Sequence, residues 1–150
     1  MMNKTVLSQT ENSLMQERIQ KLSPESPCIW GNMSATTMLY HCNVTNDAIL
    51  GAKPSGKKRS LKQFILKHLI LNIKKEIPRG IKGSPKFFPG ENSNLNFEEE
   101  QKRWIDTISR FQTIQTSLNG DHPVFGKLDT KEWGRFVWLH MDHHLRQFGV

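Results

Sequence analysis

The chain has 150 residues, a formal net charge of +7 and two cysteines. A chain of this length is most often one domain that buries roughly two-thirds of its unfolded surface, so it needs no disulfide framework. Its first residues are polar and lack the apolar core of a secretory signal, and no stretch approaches the ~20 apolar residues of a membrane span. We therefore expect a single cytoplasmic domain over 1–150, with two free thiols and no membrane partner.

Two helices are predicted in the first third of the chain. The sequence SQTE has the spacing of a capping box and opens a helix predicted over 5–22, which Pro24 terminates. A second helix is predicted over 34–51, with Ser34 as its N-cap. Its inward stripe comprises Ala35, Met38, Cys42, Thr45 and Ile49. His41 lies beside this stripe.

A basic stretch follows, with eleven Lys or Arg residues and one acid between positions 53 and 86. A third helix is predicted over 59–77, apolar on one broad face and basic on the other, and the Pro-, Gly- and Asn-rich residues 78–95 are predicted to form a loop. The stretch suits a solvated helix face, an anionic small molecule, nucleic acid or an acidic membrane. Because it lacks interleaved aromatic residues, binding of single-stranded nucleic acid is not favoured.

The last two helices are predicted over 96–118 and 129–148. Asn96 is placed to cap the first, and Asp129 begins a capping-box pattern that opens the second. No strand pattern competes with this series of helices. The sequence therefore predicts an all-α protein, a four-helix bundle with an extra helix in the long crossover, and bundles place metal and cofactor sites between facing helices.

The last helix carries two histidines in its apolar stripe. His140 and His144 follow Val137 at helical spacing, whereas His143 lies nearly a quarter-turn away. Two histidines at i and i+4 are about one turn apart and can share a metal ion. They can also be a hydrogen-bonded core pair, although burying two imidazoles without partners is costly.

His41 is the best third ligand, because a bundle can bring the second helix against the last. His68 lies on the crossover helix, and His122 precedes a proline in a turn, where we expect it to anchor the loop by hydrogen bonds. Cys42 faces the core and needs no function there. Four polar residues are candidates to orient a reacting group: Tyr40, Asn43, Asp47 and Gln147.

Two blocks of the sequence resemble the DinB/YfiT-like metalloenzymes, in a branch without an assigned function. They are WGNMSATTMLYHC and HPVFGKLDTKEWGRF…HMDHHLRQFG, and the likeness runs from about Leu14 to Val150. The resemblance implies a four-helix bundle with a three-histidine site for a divalent metal ion, often nickel or zinc. Carried over residue by residue, His41 matches the second-helix ligand, and His140 and His144 match the final pair.

The better-characterised relatives catalyse transfer or isomerisation reactions that use a low-molecular-weight thiol. The resemblance therefore implies such a thiol as a co-substrate. Many of them follow the last ligand with Arg-Gly-Gln, where this chain has Leu145, Arg146 and Gln147. The resemblance therefore supports the metal site more strongly than it supports a reaction with a thiol.

Two classes of function follow from these residues. The first is a metal-dependent enzyme on a small-molecule substrate, of the thiol S-transferase or hydrolase type. The second is a non-catalytic helical-bundle protein with a structural metal or none. A nucleic-acid-binding module would explain the basic stretch but not the histidines, and a homodimer stays open.

Overall fold

A computed structural model of the chain describes residues 4–114 and 118–150, which are mostly helical. The α-helices are α1 (Gln9–Gln20), α2 (Ala35–Leu50), α3 (Leu61–His68), α4 (Phe97–Thr113) and α5 (Thr130–Gln147). A small antiparallel hairpin pairs β1 (Asp121–His122) with β2 (Gly126–Lys127), so that Asp121 lies opposite Lys127. The prediction of an all-α protein is confirmed at this level.

Helix starts follow the capping residues read from the sequence. Ser34, Asn96 and Asp129 each accept a hydrogen bond from the amide three residues later, and Asp129 forms a complete capping box. Ser8 also caps its helix, but the Glu11 carboxylate accepts from Nε1 of Trp138 instead of closing a box. Because Ser8 is the N-cap, α1 begins at Gln9, later than the predicted start at residue 5.

The crossover differs from the single helix expected over 59–77. Ser60 and Gln63 form a capping box that starts α3 at Leu61, and a π-helical turn continues it over Leu69–Lys74. The amide of Lys75 donates to the Ile70 carbonyl, five residues back, and Lys75 then adopts a left-handed conformation that ends the helix.

The predicted loop over 78–95 contains one 3-10 turn, Pro85–Phe87. The predicted fourth helix extended to residue 118. Its residues 115–117 lie outside the described part of the chain, and α4 ends at Thr113.

Hydrogen bonds between helices give their relative directions. Asn12 bonds the Ile108 carbonyl and Gln101 bonds the Ile19 carbonyl, so α1 and α4 are antiparallel. Asn43 bonds Glu100 and Asp47 bonds Arg103, so α2 and α4 run the same way. Glu11 bonds Trp138 and Arg18 bonds Asp142, so α1 and α5 are parallel. It follows that α2 and α5 run in opposite directions, and that a long crossover must join α2 to α4.

The predicted inward stripes supply the core. The buried stripe residues include Met38, Cys42 and Ile49 on α2 and Val137 on α5. Other buried residues of the core include Trp104, Ile108, Phe111, Leu118, Trp133 and Phe148. Leu14 of α1 is exposed. Cys28 and Cys42 are unpaired. None of the helices described is long and apolar enough to cross a membrane.

Candidate metal centre

His41 is held on α2 by contacts with the loop that follows α3. Its side chain is 5% exposed, and Nδ1 lies 3.2 Å from the Phe87 carbonyl oxygen. The ring of Phe88 stacks on the imidazole with centroids 4.7 Å apart. A carbonyl can only accept, so Nδ1 carries the hydrogen and Nε2 presents its lone pair to the interior.

His144 is held in the same way from the opposite side. Its Nδ1 lies 2.9 Å from Oε1 of Gln147, whose amide nitrogen donates to the Trp30 carbonyl at 2.6 Å. The Trp30 carbonyl can only accept, so the nitrogen of the Gln147 amide faces Trp30 and the amide oxygen faces the His144 imidazole. His144 is 7% exposed, and it also presents an unprotonated Nε2.

His140 completes a triangle of imidazoles whose ring centroids lie 4.7–5.2 Å apart. Its Nε2 is 3.2 Å from Nε2 of His41 and 3.2 Å from Nε2 of His144, and the ligand atoms of the three residues lie within 4.8 Å of one another. Neighbouring ligands at ~2.0–2.1 Å from one ion are separated by roughly 2.8–3.4 Å in octahedral or tetrahedral arrangements. Both pairs that include His140 therefore have the spacing of two ligands on one ion, and the third pair of nitrogen atoms also lies within 4.8 Å.

Hydrogen bonds alone do not satisfy this cluster. Nε2 of His140 can carry one hydrogen, which can bridge to His41 or to His144 but not to both. Nδ1 of His140 is buried and has no hydrogen-bond partner among residues 4–114 and 118–150. A cation bound by all three Nε2 lone pairs would explain why Nε2 of His140 lies close to the Nε2 atoms of both neighbours. This donor set therefore fits a metal ion.

The electrostatics of the site keep the imidazoles neutral. Burial lowers the pKa of His41, brings the pKa of His144 to about 3, and holds the pKa of His140 well below its ordinary value. The charge that each neighbouring imidazole would carry adds to the effect on His140 and His144. Because a metal must displace a proton from any protonated histidine, neutral rings favour binding near pH 7.

The other histidines lie outside this cluster. His143 points away from it, with Nδ1 3.0 Å from the Ile77 carbonyl oxygen. His68 is exposed and contacts Asn72. His122 accepts hydrogen bonds from two amides of its own turn, which confirms the anchoring role predicted from its position before Pro123.

Gln147 is the one candidate orienting residue that hydrogen-bonds a member of the cluster. Asp47 binds Arg103 and Arg110, and Asn43 binds Glu100. Cys42 contacts the Met38 sulfur, and burial raises the pKa of its thiol well above the usual value. Asp47 and Asn43 thus support the contact between α2 and α4, and Cys42 packs in the core.

Sequence reasoning missed the residues that hold the histidines from the loops, which are Trp30, Phe87 and Phe88. The one feature of the sequence that could have indicated them is the presence of aromatic residues in segments predicted to be irregular. Gly83 allows the close approach, since a Cβ there would lie 3.0 Å from the Phe88 ring and 3.7 Å from Cε1 of His41.

Comparison with known proteins places the chain in a family. No curated protein and no solved structure is significantly similar to it. A family model described as "Protein of unknown function (DUF1569)" matches residues 1–149. The chain therefore belongs to the DUF1569 family.

Proposed function

We propose that this protein is a metal-dependent enzyme acting on a small molecule, of the thiol S-transferase or hydrolase type. His41, His140 and His144 bind one divalent ion, nickel, zinc or a similar metal. The observation that carries the proposal is the convergence of three Nε2 atoms, two of them with fixed lone pairs. A bound divalent ion would supply a Lewis acid that lowers the pKa of water or of a thiol.

Three protein ligands favour a catalytic over a structural site. Structural zinc sites are closed by four protein ligands, whereas catalytic sites keep a position for water or substrate. Among the described His, Cys, Asp and Glu residues, the set at this place consists of the three histidines alone.

The proposed architecture is a DinB-like four-helix bundle of α1, α2, α4 and α5 forming a single domain. It is supported by the directions of the helices, in which only a long crossover can join α2 to α4. The crossover helix lies outside this set and is attached to α5: Lys67 of α3 forms a salt bridge with Glu132, and Arg135 donates to Asn72 and to the Leu71 carbonyl in the π-helical turn. Ligands on α2 and α5 are then held by rigid elements.

We further propose a cytoplasmic protein whose partner is a small molecule rather than nucleic acid or a membrane. The non-catalytic alternative, with a structural metal or none, predicts different behaviour toward metals and ligands. A low-molecular-weight thiol is the proposed co-substrate.

Metal analysis of protein purified without an affinity tag tests the proposal. Calorimetric titration of the chelated protein with nickel, zinc or cobalt should give one ion per chain. His41→Ala and His144→Ala should each lose most of the affinity, and His68→Ala, an exposed histidine, should retain it. Equal affinities for all three variants, or no binding to the wild type, would overturn the proposed centre.

A further inference from the structure

Residues 28–31, the 28–31 segment, belong to the connection between α1 and α2 and lie against the end of α5. The amide of Ile29 donates to the Gln147 carbonyl at 2.8 Å. In return, the side-chain amide of Gln147 donates to the Trp30 carbonyl at 2.6 Å. The segment therefore holds both the main chain and the side chain of the residue that accepts from Nδ1 of His144.

Gly31 allows the backbone of this segment to approach the Gln147 amide. Its φ is +86°, in the left-handed region that favours glycine. A Cβ at this position would lie 2.7 Å from Nε2 of Gln147, well inside ordinary van der Waals contact. In the described part of the chain, no other residue apart from the two sequence neighbours of Gly31 would lie within 4 Å of that Cβ. A side chain at position 31 would therefore crowd the Gln147 amide specifically.

The Gln147 amide cannot move aside without loosening His144. The end of a glutamine side chain is ordinarily flexible, but here its oxygen accepts from Nδ1 of His144 at 2.9 Å while its nitrogen donates to the Trp30 carbonyl. A movement that relieves the crowding would lengthen or break these bonds. The His144 ring would then be free to turn, and its Nε2 would leave the position 3.2 Å from Nε2 of His140.

The Trp30 carbonyl receives a second donor from within the segment. Sγ of Cys28 lies 2.9 Å from the Trp30 carbonyl oxygen, which has two lone pairs and can accept from both Cys28 and Gln147. Cys28 is unpaired, so its thiol hydrogen is available to donate. The thiol thus helps to fix the direction of the carbonyl that orients Gln147, although S–H is a weak donor.

We propose that Gly31 and Cys28 are positioning residues of the metal centre, which act through Gln147 on His144. This inference rests on the metal centre proposed above. Gly31 leaves the space that the Gln147 amide occupies, and Cys28 holds the carbonyl that binds this amide. Neither residue contacts the ion. Together they keep the His144 ring in its binding orientation before the metal arrives, which raises the affinity of the centre.

Gly31→Ala tests the proposal, with Gly56→Ala as its matched control. Gly56 also has a left-handed φ, +72°, but a Cβ there would meet nothing within 4 Å in the part of the chain that the structure describes. Both substitutions therefore strain the backbone, and only Gly31→Ala crowds Gln147. Competition of the cobalt-loaded protein with a chromophoric chelator measures the affinity. We expect Gly31→Ala to lower it about tenfold or more, as for other partners that orient a ligating histidine, and Gly56→Ala to leave it unchanged.

Removal of Gln147 separates positioning from a general effect on folding. With Gln147→Ala the amide that the new Cβ would crowd is absent, so adding Gly31→Ala should cause little further loss of affinity. A merely structural effect of Gly31→Ala would persist in that background. Equal affinities for Gly31→Ala and Gly56→Ala, or a loss of the same size with and without Gln147→Ala, would overturn the role of Gly31.

Cys28 offers a second pair of variants that does not strain the backbone. Cys28→Ser retains a hydroxyl that can donate to the Trp30 carbonyl and should keep the affinity. Cys28→Ala removes the donor and should lower the affinity about threefold, as expected for one weak hydrogen bond. Equal affinities for Cys28→Ser and Cys28→Ala would overturn the role of Cys28. This pair decides the proposal by itself should Gly31→Ala fail to fold.

Failure of the metal centre itself has a different signature. Wild-type protein that gives no cobalt spectrum contradicts the proposed centre, and the inference is overturned with it. A normal cobalt spectrum with wild-type affinity in Gly31→Ala and in Cys28→Ala contradicts the positioning role alone.

Discussion

Gln147 accepts a hydrogen bond from Nδ1 of His144 at 2.9 Å, and its amide nitrogen donates to the Trp30 carbonyl at 2.6 Å. These two hydrogen bonds fix the tautomer and the ring orientation of His144. A flip of the Gln147 amide would exchange its oxygen and nitrogen and would break both bonds. His41 has an equivalent support in the Phe87 carbonyl. His140 has no such support among the described residues, so no hydrogen bond from outside the cluster orients its ring.

Gln147→Ala should weaken metal binding without removing it. Partners that orient a ligating histidine typically contribute 10–100-fold to metal affinity, and we expect a loss of about that size. Competition with a chromophoric chelator measures the change. Gln101→Ala is the matched control, because Gln101 also donates to backbone carbonyls, those of Ile19 and Leu22, at the contact of α1 with α4. Equal affinities for the two variants would exclude the orienting role.

His143 and His144 are neighbours in sequence with different predicted contributions. His143→Ala removes a hydrogen bond to the Ile77 carbonyl and should keep most of the metal affinity. His144→Ala removes one of the three convergent Nε2 atoms and should lose most of it. Calorimetric titration of both variants provides the comparison, and similar losses would contradict the assignment of ligands.

The convergence of His41 with His140 and His144 could be anticipated because helical periodicity assigns each side chain to a face. On α5, His140 and His144 share the stripe of Val137, and on α2 His41 lies beside the buried Met38. Periodicity combined with antiparallel neighbours is enough to bring these faces together.

The supports of the histidines could not be predicted, because Trp30 and Phe87 belong to irregular segments that have no period. Their contacts with Gln147 and His41 join positions far apart in sequence, and only the folded chain defines them. The apolar face of α3 shows the opposite limit. The sequence predicts a broad apolar face on the crossover helix, yet Leu61, Phe64 and Ile65 are exposed, because no other element of the described chain covers that face.

His122 should make the stability of the protein sensitive to mild acid. Its Nδ1 accepts from the amides of Val124 and Phe125, and burial lowers its pKa to about 4, compared with ~6.5 in an unfolded chain. Between these values the unfolded state binds more protons at this position. The contribution to the free energy of unfolding is therefore fully present above pH 6.5 and is lost as the pH falls toward 4.

Urea unfolding of the metal-free protein across pH 4–7 measures this effect. His122→Asn can still accept from the turn amides but does not titrate, so the slope of the unfolding free energy against pH should fall by up to ~1.4 kcal/mol per pH unit. His68→Asn, at an exposed position, is the control and should leave the slope unchanged. An unchanged slope in His122→Asn would show that the acid sensitivity arises elsewhere.

Removal of the metal separates a catalytic centre from a structural one. A structural metal contributes its binding free energy directly to folding, so a protein that depends on it unfolds when the metal is removed. Here the core includes fully buried Met38, Trp104, Ile108 and Val137, and a large apolar side chain contributes roughly 1.5–3 kcal/mol when buried. We therefore expect the chelated protein to stay helical by circular dichroism, to melt cooperatively at a lowered temperature, and to rebind one ion per chain. Loss of helical signal on chelation, reversed when the metal is restored, would instead establish the non-catalytic alternative, in which the three histidines brace α2 against α5.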